Sequence, residues 1–65
     1  MAIFNYIKDK RQEKNVTQED LALAVGVSRQ TIVAIEKGNY TPSLMLAMQL
    51  ANFFGISLEK LFYIK

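Results

Sequence analysis

The sequence predicts an all-α domain, a compact bundle of five short helices. Three observations carry that expectation. A three-residue mark recurs as Asn15-Val16-Thr17, Gly26-Val27-Ser28 and Gly55-Ile56-Ser57. Apolar residues between the marks fall at helical spacing, and no stretch of four or more residues alternates like a half-buried strand. With 65 residues, 51% of them hydrophobic, one proline and three glycines, the chain is expected to fold as one domain spanning 1–65.

Each part of the mark suits a helix-to-helix junction. Asn or Gly tolerates the left-handed conformation that ends one helix. Ser or Thr accepts a hydrogen bond from the free amides that begin the next. The apolar residue between them packs on the fourth helical position, which pairs Val16 with Leu21, Val27 with Ile32 and Ile56 with Leu61.

The first predicted helix spans about 3–14, with Ile3, Ile7 and the stem of Arg11 along one face. The second, about 17–25, opens on Thr17-Gln18-Glu19-Asp20, which approximates a capping box with Asp in the closing position. Leu21, Ala22, Ala24 and Val25 form its inner stripe. The third, about 28–37, carries Ile32, Ala34 and Ile35 inward. The fourth spans about 43–54, after a boundary at Gly38-Asn39-Tyr40-Thr41-Pro42-Ser43 that allows two starts. Either Thr41 is the cap with Pro42 as first helical residue, or Ser43 is the cap. The fifth runs over about 57–62.

Composition narrows the chemistry. The chain has no cysteine and no histidine, which removes disulfides, thiolate nucleophiles and the commonest general base and metal ligand. The six carboxylates show no metal or acid/base spacing, and the Ser and Thr residues at helix starts are explained by capping. The expectation is no enzyme, no cofactor, no metal and no evident small-molecule effector. No apolar run is long enough to cross a bilayer and no signal peptide opens the chain, so a cytoplasmic protein without membrane contact is expected. Eight Lys and Arg against six Asp and Glu give a net charge of +2, a mild basic lean that permits a nucleic-acid partner.

The second and third segments are joined only by Gly26-Val27 and the cap Ser28. Helices joined so tightly cross steeply, which predicts a helix-turn-helix over about 17–37. Burying Leu21, Val25, Ile32 and Ile35 leaves Ser28, Arg29, Gln30, Thr31, Val33 and Lys37 at least partly outward. Arg pairs with two acceptors of guanine and Gln with the donor and acceptor of adenine in the major groove, while Val33 or the Thr31 methyl suits a thymine methyl. Helix-opening amides at Thr17-Gln18 and Ser28-Arg29 suit phosphate.

These residues resemble the phage-repressor and Cro-like family of helix-turn-helix regulators, also called the xenobiotic-response-element family, whose fold is of the lambda-repressor type. The resemblance rests on Gln18, Leu21, Ala22, Val25, Gly26, Val27, Ser28, Ile32, Ile35 and Glu36. It continues through Gly38, Pro42-Ser43-Leu44 and the stretch from Gly55 to Phe62. It implies a third helix in the major groove, with Arg29 and Gln30 as main base readers and Ser28, Thr31 and Ala34 beside them. It places Thr17, Gln18, Lys37, Asn39 and Tyr40 on the phosphate side, and Arg11 and Glu36 as a structural ion pair between first and third helices. Plainer roles compete: an exposed Arg and Gln are commonly solvated surface, Lys37 complements a helix dipole, and Tyr40 is as well placed for packing. Three residues depart from the pattern. Lys10 stands where relatives usually carry Leu, Asn15 replaces a common Gly, and Val33 occupies a frequently polar position.

The fourth segment is apolar almost all round and the tail adds Leu61-Phe62-Tyr63-Ile64. A helix without a broad polar face is buried on more than one side. The expectation is a homodimer through about 44–64, using Met45, Met48, Phe53, Phe54 and Leu58 together with Leu61, Phe62, Tyr63 and Ile64. The competing reading is that these residues complete a monomer's core. Together the readings describe a sequence-specific, double-stranded-DNA-binding transcriptional regulator, a small homodimeric repressor of a palindromic operator. With no further domain expected, its signal would act through concentration, a partner protein or proteolysis. The alternative is an antitoxin or protein-interaction module that binds a toxin or another regulator; a restriction–modification controller is a further option of the DNA-binding class.

Overall fold

The computed structural model describes residues 2–65. In chain order the elements are β1 (Ile3–Asn5), α1 (Ile7–Glu13), α2 (Gln18–Val25), α3 (Arg29–Glu36), α4 (Leu44–Phe54), α5 (Leu58–Leu61) and β2 (Phe62–Ile64). The five helices are present, but all-α holds only approximately. The two ends of the chain form an antiparallel ribbon in which Ile3 faces Ile64, Phe4 faces Tyr63 and Asn5 faces Phe62.

The ribbon shortens two expected helices. α1 starts at Ile7 rather than near residue 3, because the Asn5 side chain accepts the Ile7 amide (3.1 Å) while the Tyr6 amide turns to the Leu61 carbonyl (2.9 Å). At the other end Phe62 takes extended backbone angles, so the segment expected over 57–62 divides into α5 and β2. Strands of three residues are too short to display the alternation by which strands are recognised. An isolated two-stranded ribbon is marginal in water. Here Tyr63 stacks on both Phe4 (centroids 5.5 Å apart) and Tyr6 (4.8 Å), adding about 0.5–1.5 kcal/mol per pair.

Helix ends follow the recurring mark. Asn15 and Gly26 both take positive φ, +57° and +75°. The amide after each folds back on the carbonyl five residues earlier: Val16 to Arg11 (3.0 Å) and Val27 to Ala22 (3.0 Å). The same closure joins Asn39 to Ala34 (2.9 Å) and Ile56 to Ala51 (3.1 Å), satisfying carbonyls that a helix end otherwise leaves free. The Thr17–Asp20 capping box is complete, with Thr17 Oγ1 accepting the Asp20 amide at 3.0 Å and Asp20 Oδ2 accepting the Thr17 amide at 3.2 Å. Ser43, not Thr41, caps α4 by accepting the Leu46 amide at 3.1 Å. Ser57 occupies the cap position of α5 without a side-chain hydrogen bond.

Every helix delivers residues to one core. Ile7, Leu21, Ile32, Ile35, Leu50 and Leu61 are completely buried, and Val16, Val27 and Ile56 pack against them from the junctions. Each such aliphatic side chain contributes about 1.5–3 kcal/mol when removed from water. The core also settles two residues expected at a dimer interface. Leu61 and Phe54 are interior to this subunit, and Phe53, Leu58 and Phe62 are partly buried against the same core. Tyr63 is half-buried in the aromatic stack. Met45, Met48 and Ile64 stay exposed, at 68%, 57% and 64%.

Candidate nucleic-acid interface

The outward side of α3 is set by what α3 buries. Ile32 and Ile35 share one face of α3 and enter the core, so the outward stripe is formed by residues on the other side of the helix. Ser28, Arg29 and Gln30 are exposed at its first turn, Thr31, Val33 and Ala34 are half-buried behind them, and Lys37 is exposed at its end. Ser28 organises that first turn. Its Oγ accepts the Thr31 amide (3.3 Å) and lies 3.0 Å from the Thr31 hydroxyl. Arg29 and Gln30 make no side-chain hydrogen bond or ion pair among the described residues and are free to meet a ligand.

Beneath this edge lies a polar node. Glu36, on the last turn of α3, accepts Arg11 Nε at 2.8 Å on Oε2 and the second Arg11 guanidinium nitrogen at 3.3 Å on Oε1. Its side chain is 5% exposed and that of Arg11 12%, so the pair is withdrawn from solvent. Gln18 Nε2 donates to Glu36 Oε1 at 3.1 Å, and the remaining Arg11 nitrogen donates to the Val16 carbonyl at 3.1 Å. The Arg11–Glu36 pair therefore ties α1, the junction after it, the first residue of α2 and the last turn of α3.

Of the residues expected on a phosphate side, Thr17 and Gln18 share a shallow depression with Arg11, Glu19 and Arg29. Lys37, Asn39 and Tyr40 are exposed in the segment that follows α3, with Tyr40 at 49%. Thr17 spends its hydroxyl and its amide on the capping box, and the Gln18 amide group is committed to Glu36. Lys10 is half-buried, with Nζ 3.8 Å from Glu13 Oε1 at the helix surface.

Asn5 escaped the sequence reading. Besides capping α1, its Nδ2 donates to the Ile35 carbonyl at 3.0 Å, which anchors the ribbon to the end of α3. A polar residue just ahead of an apolar-periodic run is a helix-start signal. It was masked because Ile3 and Ile7 also fit one helical face.

Among the described residues no helix is long and apolar enough to cross a membrane. Comparison with known proteins agrees with this geometry. A family model described as helix-turn-helix matches residues 7–61. The chain is 59% identical over 58 residues to an uncharacterized HTH-type transcriptional regulator of Methanocaldococcus jannaschii, covering 89% of this chain and 88% of that protein. It is 38% identical over 55 residues to the cryptic phage CTXphi transcriptional repressor RstR of Vibrio cholerae, covering 85% of this chain and 50% of the repressor. Its fold is similar to the crystal structure of a putative DNA-binding protein from Bacteroides fragilis, with TM-score 0.84, 28% identity and coverage of 94% and 98% of the two chains.

Proposed function

The chain belongs to the helix-turn-helix family of DNA-binding transcriptional regulators, and from that premise we propose that it is a homodimeric repressor reading a palindromic operator through α3. In this reading α2 and α3 are the two helices of the motif, and α3 lies in the major groove. The observation that carries it is the Arg29–Gln30 edge: two side chains suited to base edges, exposed at the capped start of a helix and without hydrogen-bond or ion-pair partners among the described residues. Ser28, Thr31, Val33 and Ala34 flank that edge, and Lys37, Asn39 and Tyr40 follow it toward the phosphates. The backbone amide of Gln18 opens α2 and suits a phosphate. Repression is supported by likeness to a phage repressor.

The dimer draws on Met45, Met48 and Ile64, whose exposure a monomer leaves unexplained. A two-fold axis would set the two α3 helices about 34 Å apart, one turn of DNA. Selection from a randomised duplex library tests the whole reading: it is expected to return an inverted repeat with half-sites one turn apart. Enrichment of no sequence at low salt would remove the regulator assignment, and a single unpaired half-site together with concentration-independent sedimentation as a monomer would remove the dimer.

One observation favours a second reading. Leu44, Met45 and Met48 form an exposed apolar stripe on α4 beside Gln49 and Asn52. Methionine surfaces adapt to varied partners, as an antitoxin or protein-interaction module requires. Co-purification of one stoichiometric protein that is lost on Met48→Glu would support it.

A further inference from the structure

The Asn5 side chain has a fixed direction. The Ile7 amide, a donor only, lies 3.1 Å from Oδ1, and the Ile35 carbonyl, an acceptor only, lies 3.0 Å from Nδ2. The ribbon holds Asn5 in place: it faces Phe62 in β2, and the next amide, of Tyr6, donates to the Leu61 carbonyl at 2.9 Å. The Ile35 carbonyl is among the last of α3, which no later helical turn satisfies. It receives a second donor, the Gly38 amide at 3.0 Å, so both of its lone pairs are engaged. Gly38 opens the segment that carries Asn39 and Tyr40, exposed like Lys37 just before it. One carbonyl oxygen thus joins the ribbon at the chain ends to the segment that follows α3.

We propose that Asn5 is a positioning residue for DNA binding: by holding the Ile35 carbonyl it sets the direction in which Lys37, Asn39 and Tyr40 leave α3 toward the phosphates. The inference rests on the DNA-binding reading above and gives Asn5 a part in it that requires no contact with DNA. Arg29 lies six residues before Ile35, about 9 Å away along the helix axis, and its capped first turn is built from Ser28 and Thr31 alone. Loss of the Asn5 donor therefore loosens the grip on the backbone and leaves base choice intact.

The test separates the two bonds of Asn5. Ser and Asp both keep an oxygen for the Ile7 amide and lack the Nδ2 donor, and Asp adds a charge favoured at a helix start. Thermal melts show which of the two variants is folded at the assay temperature. The wild-type protein first selects a duplex from the randomised library; if none is enriched, the DNA-binding reading falls and takes this inference with it. On a selected duplex, Asn5→Ser and Asn5→Asp should bind about tenfold more weakly, with unchanged base preferences and a salt slope reduced by about 1 as Lys37 loses its phosphate. In the combined background of Lys37→Ala, Asn39→Ala and Tyr40→Ala, Asn5→Ser should add little. Partial unfolding gives neither signature, because it lowers binding by one factor at every salt concentration and persists in full in the triple background. Once a duplex has been selected, the inference alone is overturned if a folded variant binds like wild type, if the salt slope is unchanged, if the loss falls on one base pair, or if it adds in full to the triple variant.

Discussion

Arg11 Nε sits 2.8 Å from Glu36 Oε2, in a pair whose side chains are 12% and 5% exposed. Breaking such a pair strands a charge in a poorly solvated place, which costs far more than the pair itself contributes. Arg11→Met is therefore expected to destabilise the fold by about 3–5 kcal/mol. Replacing both partners, as Arg11→Met with Glu36→Leu, should recover much of that loss. Urea denaturation of the two variants beside the wild type checks it; a loss below about 1 kcal/mol for Arg11→Met would mean that the pair is solvated after all.

Gly26 illustrates a cost carried by the backbone alone. Its φ is +75°, yet a Cβ built there meets nothing within 4 Å. Gly26→Ala should cost about 1–2 kcal/mol through the left-handed conformation, and Gly26→Asn distinctly less. Equal losses for the two would point to crowding that the structure does not contain.

The serine caps are not equivalent. Ser43 accepts the Leu46 amide, whereas Ser57 accepts none. Ser43→Ala should lower stability by about 1 kcal/mol and Ser57→Ala by a few tenths at most. Thermal melts of the two variants side by side decide the matter, and reversal of their order would contradict the cap geometry.

On the DNA side, Arg29→Ala should cost about 1–3 kcal/mol and relax preference at one base pair. Lys37→Ala should weaken all duplexes alike and reduce the salt slope by about 1. Binding isotherms at several salt concentrations separate the two, and identical sequence-blind losses would deprive Arg29 of its reading role.

Tyr63→Ala deletes both ring contacts of the ribbon. Amide exchange at Phe4 should accelerate well before exchange at Leu50, because the two-stranded ribbon is marginal on its own while α4 is anchored in the core. Concerted acceleration at both sites would show that ribbon and core open as one unit.

The helix junctions were legible because their causes are local. Asn15, Gly26 and Gly55 end helices, and Thr17 and Ser28 start them, through bonds that span five residues or fewer. The ribbon was not legible because its cause lies across the whole chain: nothing near Ile3 announces that Ile64 will face it. The same limit applied to Leu61 and Phe54, whose apolar character fits an interface as readily as a core until α1 and α4 are placed. At the candidate site, residue types and exposure were readable from helical spacing. The bond between Gln18 and Glu36, 18 positions apart, was not.

The pairing of Ala2 with Lys65, which exchange hydrogen bonds of 3.0 and 2.9 Å, brings the two extremities of this unit to one spot. The stretch from Ala2 to Lys65 thus nearly closes on itself. A short peptide bridging those residues would complete the ring, and cutting it instead in the exposed stretch around Asn39 and Tyr40 would give a permuted chain with the same interior. Such a rearrangement would place new ends beside the α3 edge, where a fused reporter would sense whatever docks there.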